Sequence, residues 1–270
     1  MKIEMKTPIS YYGGKQKLAT TILKLIPEHK LYAEPFVGGA AIFFAKPPSG
    51  VEIINDTNKE LINFYKVLQT DFVSLEKEIQ ISLHSRDMHR KAHVINANPD
   101  MFSEIKRAWA IWILSTQSFA SKLDGNWGYD VAKNTTSKKI SNKRKDFTEG
   151  YAIRMQNVQI ECTDALRIIK SRDTKDAFFY CDPPYYNSDC AHYDGYTLDD
   201  YERLLKTLCE VKGKFLLSSY PSPILKQFKK QFGWHQVEIK QTVSVANANS
   251  SKRQKIKTEV LTANYPLNIV

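Results

Sequence analysis

The constraint that governs this sequence is an alternation of two periodicities. Short apolar runs bounded by turn formers give way to segments with helical spacing, then return. Lys15 to Ile26 predicts a helix, Lys30 to Ala33 a short strand, Val51 to Asn55 (VEIIN) a second strand, and Lys59 to Leu68 a helix. The rhythm then stops between about Val67 and Gly150, where helical patterns such as Phe102 to Ser118 lead into a polar stretch rich in turn formers, SKLDGNWGYDVAKNTTSKKISNKRK. It resumes with strands at Gln159 to Glu161, Ala177 to Cys181, Lys214 to Ser218, Trp234 to Lys240 and Thr258 to Asn264, and helices at Leu198 to Cys209 and Ile224 to Phe232. A chain built this way forms a largely parallel sheet covered by helices, with ligands at the carboxyl ends of its strands. Residues 67–150 read as an inserted module.

The ends of those strands carry the chemistry. The first runs into EPFVGGAAIFF, Glu34 to Phe44, where Gly38 and Gly39 open an apolar helix and let the backbone approach a ligand. No GxGxxG can be drawn from it, so it is not the dinucleotide fingerprint. The second ends at Asn55-Asp56. A carboxylate there can accept the ribose hydroxyls of an adenosine moiety or cap the helix that follows, and both readings stand. The run AFFYC ends in Asp182, Pro183, Pro184 and Tyr185. Prolines cannot extend a central strand, so the tip is stiff. It offers a carboxylate, carbonyl oxygens and an aromatic face, a set that suits a planar ring bearing an amino group, adenine above all.

Composition excludes several classes. A hydrophobic fraction of 42% with 25% charged residues in 270 is that of a globular protein. The longest apolar run, Ala108 to Leu114, is far short of a membrane span, and no signal-peptide pattern opens the chain, which predicts a cytoplasmic protein. Cys162, Cys181, Cys190 and Cys209 show no metal-finger spacing, and no metal is expected. The formal charge of +10 is unevenly spread: Lys133 to Lys145 holds six Lys/Arg and no acid, and Lys212 to Lys257 holds ten against Glu238 alone. Such surplus suits a phosphate backbone or a solvated face.

These motifs together resemble the Dam-type DNA adenine-N6 methyltransferases, in which the cofactor motifs precede the recognition region and DPPY follows it. SYYGGK (Ser10 to Lys15) resembles the amino-terminal motif, EPFVGGAAIFF the cofactor loop, INDTNKELINFY (Ile54 to Tyr65) the ribose segment and DPPY (Asp182 to Tyr185) the catalytic motif; KFLLSSYPS and KTEVLTANY match later segments. Ala40 stands where the family carries a third glycine. The resemblance implies a Rossmann-like methyltransferase sheet with helices on both faces. Residues 1–66 and 151–270 would form the catalytic domain and 67–150 an inserted, mainly helical DNA-recognition domain with a hairpin. It implies that Tyr11, Lys15, Phe36, Gly38, Asp56 and Asp182 line an S-adenosyl-L-methionine site, with Lys15 on the methionine carboxylate and Asp56 on the ribose. Asp164 is the choice for the cofactor's adenine, with helix capping the alternative.

The target amino group would donate to Asp182 and the Pro183 carbonyl, while Tyr185 stacks on an adenine flipped out of double-stranded DNA. In the insertion, Lys138, Lys139, Lys143, Arg144 and Lys145 have the density for phosphates, and Lys122, Asn126 and Trp127, in a hairpin-like turn with Asp124, have the chemistry of base readers. A zinc deaminase is excluded, since Cys181 leads into Asp-Pro-Pro rather than a PCxxC pair. Amino methylation of RNA and a catalytically silent nucleic-acid-binding homologue are the alternatives.

Overall fold

The computed structural model describes residues 5–187, 195–243 and 255–267, without the side chains of 241–243 and 255–256. In chain order the elements are α1 (Ala19–Leu25), β1 (Leu31–Glu34), α2 (Ala41–Ala45), β2 (Val51–Asn55), α3 (Lys59–Thr70), α4 (Phe72–Gln80), α5 (Arg86–Ala97) and α6 (Glu104–Gln117). They continue with α7 (Thr135–Lys145), α8 (Gly150–Met155), β3 (Gln159–Glu161), α9 (Ala165–Arg172), β4 (Ala177–Cys181), α10 (Leu198–Glu210), β5 (Lys214–Ser219), α11 (Pro223–Phe232), β6 (His235–Val243) and β7 (Lys255–Ala263). The fold is mixed α/β, and its seven-stranded sheet has the order β3-β2-β1-β4-β5-β7-β6. This is the doubly wound order with an antiparallel strand, β7, slipped in beside β5.

The chain divides into two compact units, residues 1–24 with 37–164, and residues 25–36 with 165–270. In the second, β1, β4 and β5 run parallel, with Tyr32 opposite Phe178 and Phe179 opposite Phe215, and β7 pairs antiparallel with β5 and β6. All five residues of β4 are buried, as a central parallel strand requires, which is why AFFYC shows no alternation. The turn into β5 is tied by Asp173, whose carboxylate accepts the amides of Lys212 and Gly213, each at 2.9 Å. Gly213 is obligatory there, since a Cβ would stand 2.6 Å from the Ala177 carbonyl oxygen.

In the first unit β2 pairs parallel with β3, Ile54 opposite Ile160. α6 is the core helix: Ala108 through Gln117 are all buried. α3 is capped by the Asn58 side chain, which accepts the amides of Glu60 and Leu61, and not by Asp56, whose carboxylate is engaged elsewhere. Helix α7 lies inside the stretch read from sequence as polar and turn-rich. Its sole buried residue is Ile140, so it has no apolar face for periodicity to reveal. The predicted helix at Lys15 to Ile26 is two pieces, a 3₁₀ turn at Lys15–Lys17 and α1. The Lys212 to Lys257 charge run includes Lys252 and Arg253, which lie outside the described residues.

A buried ionic triad braces this unit. Glu52 on β2 accepts from Lys46 at 2.6 Å and from both terminal nitrogens of Arg154 on α8, and the guanidinium also donates to the Phe43 carbonyl at 2.9 Å and lies 3.8 Å over the Phe43 ring. Burial pushes the Glu52 carboxyl up, but its bonds to Arg154 and Lys46 outweigh that and hold it below the ordinary glutamate value. Removing one member strands the others, so Glu52→Gln should lower unfolding free energy by about 3 kcal/mol in denaturant titration. Because the folded-state value is depressed, this stabilisation is present above the ordinary glutamate pKa and is lost as pH falls through the folded one. Wild type should therefore lose more stability below pH ~4 than Glu52→Gln does.

Candidate active site and nucleic-acid interface

The glycine turn after β1 is built by a tyrosine. Gly38 takes a left-handed conformation at φ +45°, and a Cβ there would meet the Tyr11 ring at 3.2 Å; at Gly39 it would lie 2.8 Å from the Tyr11 Cβ. The two glycines thus let Tyr11 lie directly on the backbone. Asp56 holds the same turn from the other direction, accepting the Gly38 amide at 3.1 Å and the Asn58 amide at 2.9 Å. The Tyr65 hydroxyl donates to the Gly38 carbonyl at 2.7 Å, and the Val37 amide donates to the Asn55 carbonyl at 2.8 Å. Loss of hydration raises the half-buried Asp56 carboxyl, opposed by the amides of Asn58, Gly38 and Thr57.

Two further predicted residues belong to the same unit. Lys15 is buried, and its ammonium donates to the Gly13 carbonyl at 3.0 Å. Asp164 is exposed and follows Thr163, whose amide and carbonyl are both held at 3.0 Å by the side chain of fully buried Asn55. Asn55 therefore sets the loop bearing Asp164 beside the end of β2. The remaining cofactor and catalytic candidates belong to the other unit. Phe36 meets Tyr196 edge-on at 6.3 Å. Asp182 emerges half-buried from β4, Pro183 is buried, and the Tyr185 hydroxyl donates to Asp182 Oδ1 at 3.2 Å and meets Ser218 Oγ at 3.0 Å. With the phenol's one hydrogen directed at Asp182, Ser218 is the donor in the second bond. Burial, then the Asp182 charge, raises the Tyr185 phenol well above its ordinary value, so it remains a donor. The Tyr185 ring packs against Tyr220 at 4.5 Å, and Lys257 donates to the Tyr220 hydroxyl at 3.2 Å.

In residues 67–150 the turn is closed by a bridge between Ser118 and Trp127, with Phe119 N donating to Asn126 O at 2.7 Å and Gly128 N to Gln117 O at 2.8 Å. Three histidines ahead of it bond to the turn: His84 to the Gly128 carbonyl at 2.9 Å, His89 to the Ser118 hydroxyl at 2.8 Å and His93 to the Gly125 carbonyl at 3.1 Å. Trp127 is half-buried, stacked on Tyr129 and 4.8 Å from the His84 ring. Asn126 is exposed, and the Lys122 ammonium sits 4.9 Å over the Tyr12 ring. On α7, Lys138, Lys139 and Lys145 are exposed. Lys143 instead donates to the Thr7 carbonyl at 2.9 Å, and burial, then the charge of Lys139, pulls its ammonium down to about 8. Arg144 donates to the carbonyls of Gln80 and Ser82, the latter at 2.8 Å, and so closes the end of α4. The Thr7 hydroxyl in turn donates to the Gly39 carbonyl, so Lys143 braces the segment that braces the glycine turn.

A family model described as D12 class N6 adenine-specific DNA methyltransferase matches residues 11–243. The chain belongs to that family. Relatives include the type II methyltransferase M1.LlaDCHI of Lactococcus lactis subsp. cremoris, 30% identical over 98% of this chain and 97% of its own length. The type II methyltransferase M.MjaIII of Methanocaldococcus jannaschii is 26% identical over 97% of this chain and 100% of its own. A DNA adenine methylase of Vibrio cholerae is 24% identical over 90% and 92%. Membership brings S-adenosylmethionine as methyl donor and the adenine N6 of DNA as acceptor. The residues fit that donor: a carboxylate has about four acceptor positions, and after its three amides Asp56 can still take a hydroxyl. No helix among the described residues is long and apolar enough to cross a membrane, and among them no His/Cys/Asp/Glu group could hold a metal.

Ser218, Tyr65, Asn55 and Thr7 were not singled out from sequence. Ser218 alone had a signal, a hydroxyl where KFLLSS leaves the sheet one strand from DPPY. The departure at Ala40 also acquires a meaning, for Ala40 is left-handed at φ 54°, ψ 35°. An alanine there costs about 1–2 kcal/mol, against roughly 0.4–1 kcal/mol of unfolded-chain entropy that glycine adds. Ala40→Gly should therefore leave the melting temperature unchanged or raise it slightly. Gly39→Ala, which forces a Cβ into Tyr11, should lower stability by about 1–3 kcal/mol. Scanning calorimetry of the pair checks both.

Proposed function

We propose that this chain is a site-specific DNA-methyltransferase (adenine-specific) that acts in the cytoplasm on adenine turned out of duplex DNA. The observation that carries the reading is the stiff tip after β4, where Asp182 is held by a protonated Tyr185 backed by Ser218. The Tyr185 bond fixes the carboxylate's orientation and leaves it acceptor capacity. Adenine N6 is a poor nucleophile because its lone pair is delocalised into the ring. Donating one hydrogen to Asp182 and the other to the Pro183 carbonyl favours a more tetrahedral nitrogen and stabilises the charge it gains on attack. S-adenosylmethionine supplies a methyl already activated on sulfonium. What the protein adds is alignment, which can contribute roughly 7–11 kcal/mol. Phe36, Gly38 and Tyr11 would hold the cofactor, Lys15 its carboxylate, Asp56 a ribose hydroxyl and Asp164 its adenine.

Residues 1–66 and 151–270 would then act as the catalytic domain and 67–150 as the recognition domain. The exposed Lys138, Lys139 and Lys145 are assigned to phosphates, with Lys143 and Arg144 setting the pose of their helix. Lys122, Asn126 and Trp127 belong to the reading turn. The DNA adenine methylase of Vibrio cholerae among the relatives favours DNA over RNA as substrate.

Asp182→Ala should abolish transfer of labelled methyl to duplex DNA while circular dichroism remains that of wild type; retained turnover would sink the mechanism. Tyr185→Ala should be severely impaired, whereas Tyr185→Phe, which keeps a stacking face but releases Asp182, should retain measurable activity. Wild type should transfer methyl to duplex DNA in strong preference to RNA of the same sequence, and the reverse would favour the RNA reading. In calorimetry without DNA, Asp56→Ala should weaken S-adenosylmethionine binding. On α7, each of Lys138→Ala, Lys139→Ala and Lys145→Ala should weaken binding to all sequences alike and reduce the salt slope by about 1 for a true contact.

A further inference from the structure

Arg86, the first residue of α5, is exposed and placed where a cation works against its own helix. The amino terminus of a helix carries partial positive charge, so this position favours acids. The adjoining acid, Asp87, does not compensate, because it pairs with Arg90 at 3.0 Å and Lys91 at 2.8 Å. Among the described residues no carboxylate lies within ion-pair distance of Arg86. Its charge also bears on His89, which burial, then His93, then Arg86 drive down to about 4, leaving that buried ring neutral. The placement thus has a cost in the free protein and no ionic partner to offset it.

What holds Arg86 is aromatic. Its guanidinium lies 4.7 Å from the Trp127 ring centroid and 5.6 Å from that of Tyr129, and the two rings are stacked at 5.5 Å and 19°. A guanidinium laid on aromatic faces is oriented without its N–H groups being consumed. The support is rigid. Buried Gln117 bonds to the Ser85 amide at 3.2 Å and the Leu83 carbonyl at 2.8 Å, the three histidines bond to the turn, and Ala120 and Ser121 are held left-handed at φ 56° and 57°. Consecutive non-glycine residues of that kind persist only where surrounding contacts over-determine them.

We infer that Arg86 is a specificity-determining residue that reads a guanine of the target site by donating two parallel hydrogen bonds to its O6 and N7 in the major groove. The inference rests on the assignment of residues 67–150 to DNA recognition. Guanine is favoured over phosphate because an oriented, planar fork matches the O6/N7 edge bidentately, while the exposed lysines of α7 already supply charge for phosphates.

The experiment is a methylation profile of the full-length enzyme over a random-sequence duplex library, for wild type, Arg86→Ala, Arg86→Lys and Trp127→Leu. Wild type should show a site containing guanine. Arg86→Ala should lose the preference at one guanine by on the order of tenfold or more while the other positions hold. Arg86→Lys should retain part of it, and Trp127→Leu, which removes the support, should weaken the same position. Salt slopes should be unchanged. A motif identical in wild type and Arg86→Ala, or binding weakened uniformly with the salt slope reduced by about 1, would make Arg86 a bystander or a phosphate contact and overturn the inference. A wild-type enzyme that methylates no duplex DNA would instead overturn the functional assignment and this inference with it.

Discussion

The glycine turn of the first unit hangs on one carboxylate that gathers the amides of Gly38, Asn58 and Thr57. Asp56 accepts from Gly38, and this bond fixes a turn whose second wall is the Tyr11 ring and whose carbonyl is held by Tyr65. The carboxylate is hard to replace, because its loss leaves the Gly38 amide without this acceptor inside the turn. The consequence spreads outward. Thr7 holds Gly39, Lys143 holds Thr7, and Asn55 ties the neighbouring loop, so segments far apart in sequence converge on the glycine turn and the end of β2.

The second unit is organised by a different principle, the exclusion of alternatives. β4 is apolar on both faces, and nothing can continue it past Cys181 because two prolines follow. The acid that emerges is therefore confined by covalent geometry before any hydrogen bond acts on it. Tyr185 and Ser218 then choose among its few orientations.

These two principles explain what was legible in the chain. AFFYC announces itself because a central strand must be apolar, VEIIN because a short run with adjacent isoleucines is bounded by turn formers, and the strand bounds agree with the sequence reading. DPPY and the glycine pair are legible because covalent stiffness and missing Cβ atoms are properties of residue types. Tyr65 acts through a contact that only the folded chain creates, and no spacing rule points to it, while Ser218 shows in the sequence only as a hydroxyl near the end of β5. Charge was the least legible. Lys138 and Lys143 are interchangeable letters in a basic run, yet one faces water and the other is spent on a carbonyl. Helix α7 escaped for a related reason, since a single apolar residue makes no pattern.

That single residue gives α7 an unusual freedom over evolutionary time. A helix anchored by Ile140 and by side chains that grip main-chain carbonyls asks little of the identity of its outer residues, and main-chain carbonyls are present whatever the partner segment's sequence. Basic residues can be gained, lost or moved along its outer surface with almost no effect on folding. On the proposed assignment of α7 to phosphates, the overall grip on a polyanion could thus be retuned, from brief contact to prolonged tracking, while the proposed catalytic tip and reading turn remain untouched.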